Sequence, residues 1–483
     1  MRYYVGIDLG TSACKGILVD KDGAIVREAT AKYDVIYPKS GWSEQNPDDW
    51  IKAAEKILAE LSRGVEKDIY GLSVGGQMHG LVALDGGGKV IRPCILWNDG
   101  RTEKQTAYLN DVIGREKLTE LVGNIAFAGF TAPKLLWMKE NEPENFARIA
   151  KIMLPKDYLA YKLTGAFSTD YSDASGTLLL DVKNKRWSEE MCKICSVDPS
   201  WLPPLYESCE VTGKVKEKYN LPNCVVTAGA GDNAAAAIGT GTVNAGDCNI
   251  SLGTSGTVFI PQDAFSVDGK NALHSFAHAN GKWHLMGCIL TAASARKWWI
   301  NDILGESDYD LSDAEADASE ADPNLIFLPY LSGERSPHND VNIRGAFVGI
   351  SANTTKAQMC RAVMEGVAFA LRDCVEIARE GGISPSKTNL CGGGAKSAVW
   401  SQVIADVLGI PVNTLKTEQG PSMGGAILAM VGAGEYENVS EAAKKFVEVG
   451  RTFVPNESKK AEYDERYEVF RRLYPAIKSA TQF

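Results

Sequence analysis

The residues best suited to chemistry start at the head of the chain, in Asp8-Leu9-Gly10-Thr11-Ser12. A glycine, two hydroxyls and the free N–H groups of a tight turn form a nest for phosphate oxygens. A carboxylate beside a phosphate is repulsive unless a cation lies between them. Asp8 therefore implies Mg²⁺, held through water, and Lys15 is placed to add positive charge. The same Leu-Gly-Thr-Ser core returns half a chain later at Leu252-Gly253-Thr254-Ser255, with Ser251 in place of the aspartate. Two such turns facing each other would clamp a polyphosphate, with metal on one side only.

Gly229-Ala230-Gly231-Asp232-Asn233 places an acid between a bare loop and the small-residue run Ala234–Ala237. An aspartate in that setting is commonly a helix N-cap. Flanking glycines, however, leave this carboxylate open to a ligand, so Asp232 is a candidate general base for a hydroxyl. A low carboxylate pKa is no obstacle where phosphoryl transfer is loose and the nucleophile's proton leaves late. Gly75-Gly76-Gln77-Met78-His79-Gly80 follows the strand-like Ile69–Val74 and offers polar groups and space for a small polar molecule. Trp97-Asn98-Asp99-Gly100-Arg101 adds an aromatic wall. Cys391-Gly392-Gly393-Gly394-Ala395-Lys396-Ser397 is a glycine-rich strand-to-helix junction on which a ring or a phosphate can lie.

Other readings are excluded by context. Neither a G-x-G-x-x-G fingerprint nor a P-loop occurs. Gly71-Leu72-Ser73-Val74-Gly75 matches a hydrolase elbow, but more glycines and the strand-like Leu81–Leu84 follow where a helix is required. Cys192 and Cys195 have no second pair or histidine at zinc spacing and read as structural thiols.

The positioning elements follow a plan. Tyr3–Asp8, Ala13–Asp20 and Ala24–Thr30 read as a β-meander, and the pattern returns around residues 250–260. Helical periodicity covers 47–62, 102–121, 131–141, 291–304, 354–380, 397–408 and 424–431. The chain is read as an α/β protein of two related domains, 1–245 and 246–483, with the active site in the cleft between them. The last forty residues are expected to pack as helices on the second. Asp302–Asp322, with nine acids and no Lys or Arg, reads as a solvated helix and loop. Hydrophobic residues at 45% and charged residues at 23% are those of a globular protein, and a net charge of −10 disfavours nucleic-acid partners. The charge-free stretch Cys248–Gln262 is too short and polar for a membrane span. An odd count of eleven cysteines fits a reducing, cytoplasmic setting.

Taken together the motifs resemble the FGGY carbohydrate kinases. Gly129-Phe130-Thr131-Ala132-Pro133-Lys134-Leu135-Leu136-Trp137-Met138 is similar to one diagnostic segment of that family. Gly345–Ile350 through Arg361–Gly366 is similar to the other. Within the family the likeness is to the xylulose-phosphorylating branch, through Trp42–Pro47, Gln77–Gly80, Leu96–Arg101, Leu154–Tyr158 and Leu331–His338. Glycerol-specific members are expected to carry Arg-Glu where this chain has Met78-His79.

The resemblance implies an actin-like (ribonuclease H-like) two-domain ATPase fold. It also implies ATP-dependent phosphorylation of D-xylulose on the 5-hydroxyl, with Asp232 as base and Asp8 organising Mg²⁺. Gly10-Thr11 and Gly253-Thr254 would bracket the β- and γ-phosphates. Gly393, Gly394 and Ser397 would border the adenosine, with Trp298 nearby, while Met78, His79, Asp232 and Asn233 would contact the ketose. The expected partners are the sugar and Mg-ATP, with no nucleic acid or membrane and a homodimer as the common assembly. The alternatives are a kinase for L-xylulose, ribulose or another polyol, an actin-like or chaperone-like ATPase, and a non-catalytic binding protein.

Overall fold

The computed structural model describes residues 1–319, 321–416 and 420–481. The opening meander is β1 (Tyr3–Leu9), β2 (Ala13–Asp20) and β3 (Ile25–Lys32), each antiparallel to the next. Parallel pairing then needs a crossover, and α1 (Pro47–Ser62) supplies it. Asn46 caps that helix, Pro47 opens it, and Trp50, Ala54, Ile57, Leu58 and Leu61 form its buried face. β4 (Ile69–Gly76) returns parallel to β1. β5 (Val211–Lys214), β6 (Val225–Thr227) and the short β7 (Ala230–Gly231) complete the sheet, in the order β5-β6-β4-β1-β2-β3 with β7 on the end of β4.

The second half repeats the arrangement. β8 (Asn249–Leu252), β9 (Gly256–Gln262), β10 (His274–Ala277), β11 (Trp283–Ile289), β12 (Thr388–Cys391), β13 (Val412–Leu415) and β14 (Val449–Phe453) form one sheet ordered β10-β11-β9-β8-β12-β13-β14. Setting the outer β10 aside, each sheet is a three-strand antiparallel meander, two parallel strands beside it, and an antiparallel edge. β1 and β8 both end at the leucine of Leu-Gly-Thr-Ser, and β2 and β9 both begin just after its serine. The repeat in sequence is thus a repeat of whole sheets, the actin-like architecture.

The helices that bear on the site are α2 (Thr131–Asn141), α3 (Pro155–Thr164), α4 (Asp232–Gly239), α5 (Tyr309–Ala318), α6 (Lys356–Glu380), α7 (Ala398–Leu408), α8 (Gly420–Gly432) and α9 (Lys460–Ala480). α8 belongs to the second half but lies against β1, β4 and α4 of the first. The approach is so close that a Cβ on Gly6 would sit 1.8 Å from the Ser422 carbonyl oxygen, and one on Gly424 1.8 Å from that of Ala235. The C-terminal segment differs from expectation: before α9, Val449–Phe453 extends the second sheet instead of forming helix. Among the described residues, no helix is long and apolar enough to cross a membrane.

Candidate active site

Sheet register brings the two chemical carboxylates together. Asp8 pairs with Lys15 on β2 and with Gly75 on β4, and Gly75 pairs on its other side with Ala230. Asp232 opens α4 two residues later. Gly231 is the N-cap, so Asp232 is the first helical residue and its side chain is not consumed by capping. Its Oδ1 accepts from the Asn233 N–H (2.8 Å) and Nδ2 (3.0 Å); Oδ2 makes no hydrogen bond among the described residues. Burial pushes Asp8 up to about 6, against the pull of Lys15. Burial, and then the charge of Asp8, push Asp232 up to about 7. Among the described residues, no group of three His, Cys, Asp or Glu side chains is gathered to hold a metal. Asp8 beside the Gly10–Ser12 turn is a donor of the kind Mg²⁺ takes, since that ion keeps most of its waters and binds one or two carboxylates plus phosphate oxygens.

The first turn is held from behind by two glutamines. Thr11 Oγ1 donates to Gln77 Oε1 (3.2 Å) and accepts from the Trp97 indole N–H (3.0 Å). Gln45 Nε2 donates to the Thr11 carbonyl (2.6 Å), and Gln45 Oε1 accepts from Gln77 Nε2 (2.9 Å) and Trp50 Nε1 (3.1 Å). Gly10 N–H closes the turn onto the Ala13 carbonyl (3.0 Å).

Beneath Asp232 lies a buried ion cluster that sequence reading missed. Lys156, at the start of α3 and 0% exposed, places Nζ 2.5 Å from Asp157, 2.9 Å from Asp170 and 3.8 Å from Asp173. It also donates to the Ala228 carbonyl at 3.2 Å. Ser172 Oγ donates to Asp170 Oδ2 (2.5 Å) and accepts from the Gly231 N–H (3.1 Å), tying the cluster to the residue that precedes Asp232. Both Asp173 oxygens are buried without a hydrogen-bond partner. Burial holds that carboxyl well above the usual carboxylate range, against the pull of Lys156. No local signal reveals this set, because its members lie on three separate segments.

On the sugar side, Met78 is buried against Gly231. His79 has φ 68°, a left-handed conformation unfavourable for a side-chain-bearing residue. The surroundings enforce it. The His79 carbonyl accepts from Lys134 Nζ (2.7 Å) and Thr131 Oγ1 (3.1 Å) of α2, its Nδ1 lies 2.7 Å from the Gly176 carbonyl, and its ring stacks on Phe130 at 4.6 Å. Burial lowers its pKa to about 3, so the ring is neutral at physiological pH. A Cβ on Gly176 would lie 2.5 Å from His79 Nδ1. Gly176→Ala is therefore expected to displace the imidazole and raise the sugar KM about tenfold while the ATP KM stays put. Steady-state kinetics in both substrates check this, and an unchanged sugar KM would remove His79 from the sugar site.

In the second half, Gly253, Thr254, Gly393, Gly394 and Ser397 all line one cavity of about 720 Å³. The Thr254 carbonyl accepts from Ala292 N–H (3.0 Å) and Ser294 Oγ (2.6 Å), and Ser397 caps α7 by accepting from the Trp400 N–H (3.0 Å). Trp298 is not among the lining residues; its ring stacks on Phe327 at 6.2 Å. Tyr309 and Trp400 line the cavity instead, beside the ion pair of Arg296 and Asp313. The acid-rich stretch is a loop and helix as expected, with Asp302, Asp308, Asp310 and Asp317 exposed. α5 buries Ser312, Asp313 and Ala316 and forms part of the cavity wall, while Glu320 lies outside the described residues.

Residues 3–239 match the N-terminal domain of the FGGY family of carbohydrate kinases, and residues 248–433 match its C-terminal domain. The chain is 42% identical to a xylulose kinase of Lactococcus lactis, covering 98% of this chain and 97% of that protein. It is 40% identical to a xylulose kinase of Escherichia coli, covering 98% and 99%. The crystal structure of a xyloylose kinase from Brucella ovis superposes with a TM-score of 0.95 at 38% identity, covering 99% of this chain and 100% of that one.

Proposed function

The chain belongs to the FGGY family of carbohydrate kinases, and on that premise we propose that it transfers the γ-phosphoryl group of ATP to the 5-hydroxyl of D-xylulose. The observation that carries the reading is Asp232, a carboxylate with one oxygen free of hydrogen bonds among the described residues, beside Asp8 and the Gly10–Ser12 turn. Bound Mg-ATP supplies the phosphoryl group and the cation that offsets its charge. Met78 and His79 wall the sugar, and the neutral imidazole offers hydrogen bonds without adding charge. Asp232 Oδ2 takes the proton from the attacking hydroxyl as its oxygen bonds to the γ-phosphorus, and ADP leaves. Asp8 would hold Mg²⁺ through water. The N–H groups of Gly10-Thr11 and Gly253-Thr254 would receive phosphate oxygens, and Gly393, Gly394 and Ser397, with Tyr309 and Trp400, would house the nucleoside.

The same reading assigns 1–245 to the sugar and the base and 246–483 to the nucleotide. Closure of the two parts would keep water from the phosphoryl donor. A cytoplasmic location belongs to the reading too, supported by cysteines that are all free thiols.

The test is ADP release with Mg-ATP and D-xylulose, L-xylulose, D-ribulose, L-ribulose or glycerol, each added singly. Strong stimulation by D-xylulose is expected. Stimulation by another sugar would keep the kinase and replace its substrate, and ATP turnover indifferent to every carbohydrate would remove the kinase reading.

A further inference from the structure

A second cavity, of about 440 Å³, opens between the two halves next to the candidate site. Trp97 and Phe127 wall it from the first half, and Leu290, Glu334 and Arg335 from the second. Trp97 is the residue whose indole N–H holds Thr11, so the cavity adjoins the phosphate-binding turn. Phe127 packs on Phe130 at 5.3 Å, and Phe130 stacks on His79, so this ring pair links the cavity wall to the imidazole.

Two second-half groups border this space, Arg335 beside the Cys288 thiol and Glu334 with one unpartnered oxygen. Glu334 is 1% exposed. Its Oε1 accepts from the N–H groups of Leu290 (2.7 Å) and Arg335 (2.8 Å), but Oε2 is buried with no partner. Arg335 makes no ion pair among the described residues, and its guanidinium stands 5.8 Å from the Phe127 ring centroid. The loop carrying both is fixed, because Ser336 N–H donates to the Cys288 carbonyl and Cys288 N–H to Ser336 Oγ, each at 3.0 Å. A held cation and a buried carboxyl oxygen facing a cavity are groups waiting for a polar ligand.

We propose that this cavity receives the end of the ketose remote from the hydroxyl being phosphorylated. Arg335 donates to its carbonyl and hydroxyl oxygens, and Glu334 Oε2 pairs with a hydroxyl. The proposal rests on the ketose-kinase reading and deepens it, because selection for a ketose then belongs to the second half while the reacting end is held by Met78, His79 and Asp232. Sugar contacts from both halves also couple sugar binding to their closure, since the open arrangement cannot make both sets at once.

The experiment uses the full chain with Arg335→Ala and Glu334→Gln, by steady-state kinetics and by calorimetry with D-xylulose and with xylitol, which lacks the carbonyl. Arg335→Ala is expected to raise the KM and Kd for D-xylulose about 10- to 100-fold, the range for a lost charged hydrogen bond. The ATP KM should stay within about twofold, and the preference for D-xylulose over xylitol should shrink. Glu334→Gln keeps the shape and is expected to give a smaller rise. If the parent phosphorylates D-xylulose and neither variant moves its KM or Kd, the cavity assignment is overturned and the kinase reading stands. If the parent phosphorylates no ketose yet binds D-xylulose through Arg335, the reverse holds. A parent that binds no D-xylulose overturns both.

Discussion

Asp232→Asn is expected to lower kcat about a thousandfold, the usual worth of a positioned general base, while leaving ATP binding intact. The proposed nucleotide cavity is lined by Gly253, Thr254, Gly393, Gly394 and Ser397, and Asp232 is not among its lining residues. Asparagine keeps the shape and the hydrogen bonds from Asn233 but cannot take the proton. The pH dependence follows from the carboxyl's position at about 7, raised first by burial and then by Asp8. Only the ionised form accepts a proton, so kcat/KM for the sugar should climb about tenfold per unit below that value and level off above it.

Stability runs the other way. A carboxyl whose folded pKa lies above the ordinary aspartate value of 3.8 favours folding when protonated, and that contribution is lost as pH rises from about 4 to 7. The Asn variant should therefore match the parent in stability near pH 4, and exceed it increasingly as pH rises to about 7 and beyond. Thermal melts and the pH profile together check this. A variant that keeps a tenth of parental kcat would exclude Asp232 as the base, and a profile flat from pH 5.5 to 8 would show that its carboxylate is ionised throughout.

Lys156→Met is expected to give the largest loss of stability, about 3–5 kcal/mol, because removing one partner of a buried ion cluster strands the rest. Three aspartates surround Nζ, and none is exposed enough for water to replace the ammonium. Without the ammonium their negative charge has no buried counter-ion, and urea midpoints measure the loss. Ser172→Ala cuts only the bridge from Asp170 to the Gly231 N–H. Its cost should be about 1 kcal/mol, with kcat reduced beyond what stability accounts for, because the start of α4 is freed. A Lys156→Met protein with the parental urea midpoint would show that the cluster contributes nothing net to folding.

These expectations separate what was legible in the residue order from what was not. The Gly-Thr-Ser turns, the glycine-rich junction before α7 and the extents of α1, α2, α6 and α7 were readable because each depends on interactions spanning a few residues. A cap, a turn glycine or an apolar period of three to four carries its own instruction. Even the duplication showed through a four-residue match, since each copy closes the same hairpin. Trp298 was misplaced for the complementary reason. Residues 298–303 continue α-helix as a π-helical turn, and which wall of the cavity a ring joins depends on that register and on Phe327, a residue 29 positions away.

Residue order alone thus determined the two-sheet plan, the paired Leu-Gly-Thr-Ser turns and the acid at the head of α4. Tertiary structure decided the rest: Lys156 gathering aspartates from two segments, α8 of the second half lying on the sheet of the first, Arg296 finding Asp313, and Glu334 and Arg335 facing Trp97 and Phe127. Each of these is a pairing of charge or backbone across many residues. Its energy is realised only once water is excluded by packing, and nothing in the local order of the chain states which distant partner will arrive.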